Sequence, residues 1–320
     1  MPRQSLIRLS ALAATLVFAS SAHATITNLN FGAAEGYSAF FFGNASKVMD
    51  VEGRFAVGGN LDTSGFSFGY RTPFGVTGPS LVVGGNVHLG TGAIFSGPKT
   101  NIDTNATIGP ITSWEKPIGY GVFGGSNSSL AVHDLRQATP IDFASAKTQL
   151  TKLSGDLKAE TANGTVESKW GGLYLTGDNT SKTQIFTINS NTVGNLFLQN
   201  VKSDAQVIIN VNGSGGKYVF SGGQDGQLEA LRSRVLFNFN NATEVKISTF
   251  TWGTILAPKA NILGTGHIEG SVIANSIAAQ VEIGYEPWKN TSPVPEADTW
   301  AMLLAGLGLL GIYARRRSNG

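Results

Sequence analysis

Gly253-Thr254-Ile255-Leu256-Ala257 is followed seventeen residues later by Gly270-Ser271-Val272-Ile273-Ala274. The spacing approximates one turn of a β-solenoid, a coil in which each short repeat stacks its strands on those of the repeat before. A coarser echo lies upstream, where Phe55-Ala56-Val57-Gly58-Gly59-Asn60-Leu61 matches Leu81-Val82-Val83-Gly84-Gly85-Asn86-Val87. Alternating apolar residues mark strands with one buried face, and Gly-Gly-Asn at their ends predicts corners in left-handed backbone conformations. Between the two echoes, Val207-Ile208-Ile209-Asn210-Val211, Tyr218-Val219-Phe220 and Val235-Leu236-Phe237-Asn238-Phe239 read as further strands, separated by Gly, Asn and Ser. A β-sandwich also uses short strands with Gly-rich turns. The seventeen-residue echo favours the coil.

One segment departs from the β pattern. Thr139-Pro140-Ile141-Asp142 opens a helix, with Thr139 as N-cap, Pro140 at the first position and Asp142 near the positive end of the dipole. Phe143, Ala146, Leu150, Leu153 and Leu157 recur every three or four residues, with Lys147, Lys152 and Lys158 among the polar positions. A helix over about 140–162, ending at Asn163-Gly164, should therefore bury one stripe against the strands. Its expected role is structural: it covers an apolar face and blocks edge pairing. Phe40-Phe41-Phe42, read as a strand, must expose at least one ring, because alternate side chains face opposite ways.

Composition narrows the class of function. Charged residues make up 14% of the 320, against about a quarter in ordinary domains, and the 41 glycines are nearly double the usual share of about 7%. The formal charge of +2 owes much to three arginines near the C-terminus, so the body gives no nucleic-acid signature. With no cysteine, neither a disulfide framework nor a thiolate metal site exists.

Little in the sequence points to chemistry. His23, His88, His133 and His267 are far apart, without metal-ligand spacing, although a coil can bring together His88 with Asp62 or His267 with Glu269. Gly58-Gly59-Asn60 and Gly213-Ser214-Gly215-Gly216-Lys217 lack the order of a phosphate loop and read as turns. Asp178-Asn179 and Asp225 offer oxygen ligands of the kind calcium takes, but no Asp-x-Asp-x-Asp-Gly loop accompanies them. No catalytic residue, cofactor-binding residue or metal ligand is therefore assigned, and calcium alone is left open as a cofactor. Trp114, Trp170, Trp252 and Trp288 are read as core, with a flat platform for sugars as the alternative.

The two ends carry delivery signals. Arg3 and Arg8 precede an apolar stretch over 9–18, and Ala22-His23-Ala24 has the small-x-small pattern that signal peptidase cuts after, so 1–24 reads as a signal peptide and the mature chain should begin near Thr25. The other end holds Val294-Pro295-Glu296, an apolar run over 300–314, and Arg315-Arg316-Arg317. That order predicts a linker and motif at 291–297, a transmembrane segment at 298–314 and a basic cytoplasmic tail at 315–320. The whole tail resembles the PEP-CTERM sorting signal of Gram-negative bacteria, with Ala297 where the second Pro of Pro-Glu-Pro would stand. The resemblance implies that exosortase, a membrane enzyme, cuts near Pro295-Glu296 and passes an inner-membrane-anchored precursor to the cell exterior.

The body, taken as 25–290, is similar to the choice-of-anchor A family. Val51 to Asn60, the helix beginning Ile141-Asp142-Phe143, and the tail Gly266-His267-Ile268-Glu269-Gly270-Ser271-Val272-Ile273-Ala274 carry that resemblance. The tail also looks like the ice-binding-like solenoids, which implies a mainly β fold: an irregular right-handed β-solenoid with one long helix alongside. The expected function is that of an exported structural or adhesive protein of the cell surface, extracellular polysaccharide or biofilm matrix, not an enzyme. Its processing partners are signal peptidase and exosortase. A glycan- or ice-binding module and a polysaccharide-active β-helix enzyme are the alternatives. The enzyme would need acids clustered on one face, and the sequence shows no such cluster.

Overall fold

The computed structural model describes residues 28–72, 76, 78–96 and 118–290. The signal 1–24 with Ala22 and Ala24, the motif Val294-Pro295-Glu296, the predicted span 298–314, Arg315-Arg316-Arg317 and Trp114 lie outside those residues. Among the described residues no helix is long and apolar enough to cross a membrane.

The seventeen-residue echo is a structural register. Ile255, Leu256 and Ala257 pair with Val272, Ile273 and Ala274, each seventeen positions on. The upstream echo behaves the same way: Phe55, Ala56 and Val57 pair with Leu81, Val82 and Val83, and Leu61 pairs with Val87. Each turn of the chain adds one strand to each of three faces, as Tyr37–Phe41, Ala45–Ser46 and Asp50–Val51 do in the first coil. Among the described strands every ladder is parallel except the hairpin Thr165–Lys169 with Gly172–Thr176. The architecture is a β-solenoid, not two opposed sandwich sheets.

The order in which the coils are built is less obvious. On the first face, Tyr37–Phe41, Arg54–Val57, Leu81–Val83, Gly121–Phe123 and Leu135–Gln137 follow one another outward to one end. The helix Phe143–Ala159 follows, and the chain resumes from the other end through Thr183–Ile188, Gln206–Val211, Val235–Asn238, Thr254–Gly264 and Val272–Ala278. The last of these strands pairs with the first, Phe40 opposite Ile273. Two half-solenoids thus meet at a seam in the middle, and the helix is the strut linking their outer ends.

Alternation explains why the helix has a bed to lie on. In each first-face strand one set of side chains points into the coil, as Phe41, Phe55, Val83, Phe237, Ile255 and Val272 do. The other set, including Phe40, Val82, Ile208, Leu256 and Ile273, is also apolar and would face water alone. Ala146, Leu150 and Leu157 of the helix cover it and are themselves buried, with Phe143 and Leu153 partly so. Phe40, Phe41 and Phe42 are accordingly all buried, contrary to the expectation that one ring must be exposed. The outward ring of Phe40 packs 5.3 Å from Phe143, so the helix takes the place of water.

The helix starts later than its sequence signals imply. Asp142, not Thr139, is the N-cap, and its Oδ1 accepts from the backbone N–H groups of Ala144 and Ser145. It ends at Ala159, not at 162. Asn163 is then free to close the end of the coil: its Nδ2 donates to the Thr183 carbonyl at 2.8 Å and its Oδ1 accepts from Ile185 N–H at 2.7 Å. These bonds satisfy an edge that would otherwise be unpaired.

The Gly-Gly-Asn corners also have a different cause from the one predicted. Gly58, Gly59, Gly84 and Gly85 are not among the residues with positive φ. Stacking requires the glycines here. A Cβ on Gly84 would sit 2.4 Å from the Gly58 carbonyl oxygen, and one on Gly58 equally close to that of Phe42. The Asn that follows serves the stack as well. Asn44 Oδ1 accepts from Asn60 N–H, Asn60 Oδ1 from Asn86 N–H, and Asn86 Oδ1 from Ser126 N–H, at 2.8 to 2.9 Å.

Candidate functional site

The third face carries the features that the fold does not use up. Its strands Phe250–Trp252, His267–Glu269, Glu282–Ile283, Asp50–Val51, Phe66–Phe68 and Gly92–Ile94 run side by side, and the seam crosses it between Glu282–Ile283 and Asp50–Val51. Thr251, Ile268, Ile283, Val51 and Phe68 alternate inward and are buried. Period-2 geometry therefore turns Phe250, His267, Glu282 and Asp50 outward in successive rungs.

At the seam these rungs gather a charged cluster that linear sequence hides. Arg71, from the turn after Phe66–Phe68, donates through Nη1 to Glu52 Oε2 and, at 2.6 Å, to Glu269 Oε1. His267 Nε2 lies 3.0 Å from Glu269 Oε2, and its Nδ1 lies 3.1 Å from Glu282 Oε2. Asp50 completes the group, with Oδ1 buried and without a hydrogen-bond partner. Glu52, Asp50 and Arg71 come from the first half-solenoid, His267, Glu269 and Glu282 from the second. The cluster is an ionic clamp across the joint.

Its protonation follows from burial and neighbours. Burial pushes Asp50 up to about 7, with the Glu52 and Glu282 charges adding and His267 opposing. Burial raises Glu52 as well, against the pull of Arg71. For Glu269, the His267 hydrogen bond and the Arg71 charge outweigh burial and hold it below the usual carboxylate range. Burial disfavours charging His267, but its bonds to Glu269 and Glu282 prevail and raise it. Carboxylates tied to one arginine and one imidazole stabilise a joint. Among the described residues no group of three acids or histidines is arranged to hold a metal.

The other residues singled out in the sequence are scattered. His267 and Glu269 do meet. Asp62 and His88 stand opposite each other in register, but the His88 ring bonds to the Ser128 carbonyl at 3.0 Å. His133 Nε2 bonds to the Gly90 carbonyl at 2.7 Å. Asp178 spends its oxygens on Thr180, Ser181 and Gln184, and Asp225 caps the short helix Gly226–Ala230, so both are committed to local turns. Gly215 and Gly216 have positive φ before the strand Lys217–Phe220, which makes that stretch a turn.

Aromatic residues divide three ways. Trp288 packs edge-on against Phe31, beside a cavity of about 210 Å³. Trp252 is half-buried, under the Arg232 guanidinium and against Phe250. Trp170 is 83% exposed, at the tip of the terminal hairpin, and is not core. Tyr174 and Phe197 stack beside it with centroids 4.7 Å apart, and Lys169 reaches over the Trp170 and Tyr174 rings.

These features define a class: a parallel β-solenoid with a surface-borne third face. Residues 30–285 match the family model described as an ice-binding-like adhesive domain, and residues 293–317 match that of the PEP-CTERM protein-sorting motif. The chain belongs to the ice-binding-like adhesive domain family, and with its sorting motif it is an exported surface protein of structural or adhesive type. Similar solved structures include the ice-binding protein of the Antarctic ascomycete Antarctomyces psychrotrophicus, at 13% identity over 82% of this chain and 100% of that one, with a TM-score of 0.37. One from an Antarctic biological consortium shares 15% identity over 88% and 94% of the two chains, with a TM-score of 0.35. Another, from an Antarctic Flavobacteriaceae bacterium, shares 14% over 81% of each chain, also with a TM-score of 0.35. The fold rests on the strand register above, not on these likenesses. No curated protein matches the chain.

Proposed function

We propose that the protein is a non-catalytic adhesin of the choice-of-anchor A type that acts in the extracellular polysaccharide around a Gram-negative cell. Signal peptidase would free the chain after Ala24, the segment 298–314 and Arg315-Arg316-Arg317 would hold it in the inner membrane, and exosortase would cut beside Val294-Pro295-Glu296. The observation that carries this reading is the pairing, in one chain, of an adhesive domain over 30–285 with a sorting motif over 293–317.

The third face supports a binding role more than a chemical one. Arg71 and His267 engage Glu52, Glu269 and Glu282, while Phe250 reaches solvent. The test is co-sedimentation of the full chain with extracellular polysaccharide isolated from the host. Retention in the pellet, without change in polysaccharide chain length, is the expected result. A soluble chain, or shortening of the polysaccharide, would contradict it.

The family description also favours a second reading, ice binding. Ice recognition calls for one small residue repeated along a flat face. The second face instead sets Lys217, Glu244, Asn261 and Ser276 in successive rungs. The adhesin reading therefore expects no thermal hysteresis, and hysteresis at micromolar protein would favour ice.

A further inference from the structure

We propose that Trp170, at the tip of the terminal hairpin, is a carbohydrate-contact site that takes the ring face of a neutral pyranose in the surrounding polysaccharide; this rests on the adhesin reading. The hairpin closes at the pair Lys169 and Gly172, leaving a two-residue loop of Trp170 and Gly171. Both have positive φ, 49° and 77°. Such loops favour Asn-Gly, because a side chain with a Cβ resists this conformation at the first position. An indole is a costly choice there, and at 83% exposure it gains almost no burial in return. Strain at a residue that the fold does not need points to a role at the surface.

The surroundings fix the indole and give it a polar rim. Trp170 stands edge-on to Tyr174 at 5.5 Å and 87°, and Tyr174 is stacked on Phe197 at 4.7 Å and 16°. Gly172 makes room for that base, since a Cβ there would meet the Phe197 ring at 2.5 Å. Lys169 Nζ lies 5.0 Å from the Trp170 ring centre, and it is paired with Glu167 at 2.7 Å. Lys169 lies over one face of the indole, so the stacking surface is the opposite face, with the Lys169–Glu167 pair as a donor and acceptor of cancelling charge at its rim. A pyranose needs that combination: its C–H face lies on the ring, and its hydroxyls meet the rim. The charged pair beside a single exposed indole disfavours entry into a bilayer, which needs a contiguous apolar surface.

The test compares the full chain with Trp170→Asn and Trp170→Ala for co-sedimentation with host extracellular polysaccharide and for thermal melting. The strained-tip account predicts that Trp170→Asn melts at or above the wild-type temperature while both variants bind roughly tenfold more weakly. Lys152→Gln, on the exposed side of the helix, should bind as wild type does. If Trp170→Asn melts lower, or either Trp170 variant binds unchanged, the proposal is wrong while the adhesin reading stands. Substitutions that abolish only the binding of phosphatidylglycerol vesicles would also overturn it. If the wild-type chain does not bind polysaccharide, the adhesin reading falls and takes the proposal with it.

Discussion

Ser154 and Asn238 hold each other by two bonds: Ser154 Oγ donates to Asn238 Oδ1 at 2.6 Å, and Asn238 Nδ2 donates to the Ser154 carbonyl at 2.9 Å. Asn238 Nδ2 also donates to Asn210 Oδ1 at 2.8 Å, and Asn210 Nδ2 to the Leu157 carbonyl at 2.9 Å. All three side chains are buried. The helix could slide along its bed, because apolar contacts have no direction. This polar ladder sets its position.

Replacing Asn238 with Ala leaves Ser154 and Asn210 partly unsatisfied in a buried interface. The expected cost is about 1–3 kcal/mol. Hydrogen exchange should show earlier opening of Phe143–Ala159 than of the strands beneath. Uniform loss of protection would argue that the helix is not separately fastened.

Gly84→Ala should be clearly destabilising. The added Cβ meets the Gly58 carbonyl oxygen at 2.4 Å, and its nearest neighbours are all Gly58 backbone, with no flexible side chain to yield. A loss of about 1–3 kcal/mol is expected from denaturant unfolding. Gly226→Ala, at the first residue of a helix with nothing within 4 Å, should be neutral or slightly stabilising.

Asp50→Asn tests the seam. In the folded chain burial lifts Asp50 to about 7 from its ordinary 3.8, so as pH rises through that window the unfolded chain loses this proton first and stability falls. His267 acts in the same direction, since the stability it gains from a raised value is lost as pH rises through it. Glu269, held low, loses its contribution only as pH falls through its lowered value. Asp50→Asn should therefore melt several degrees above wild type near about pH 8 and close to it near about pH 4. Equal melting at both would show that Asp50 is not the strained group.

The coil was legible because its signal is local. The echo of Gly253 to Ala257 in Gly270 to Ala274 is the pairing register itself. The helix stripe was legible for the same reason, but its cap was not: Thr139 and Asp142 are both good caps, and only the path after Pro140 decides for Asp142. The meeting of the two half-solenoids left no such mark. Tyr37–Phe41 and Val272–Ala278 are distant in sequence, and no periodicity links them. The charged clamp was missed with it, since Arg71 and Glu269 become neighbours only when the seam closes. The exposure of Trp170 was not legible, because aromatic type alone does not distinguish core from platform. The Trp170-Gly171 pair, placed like Asn-Gly between strands, is the signal that would have.

Mass spectrometry of the mature protein from cells, membranes and medium of its host tests the central claim most directly. An exported adhesin predicts a chain in the surface and medium fractions that begins near Thr25 and ends near Pro295 or Glu296. A full-length chain still bearing Arg317 and confined to membranes would contradict it.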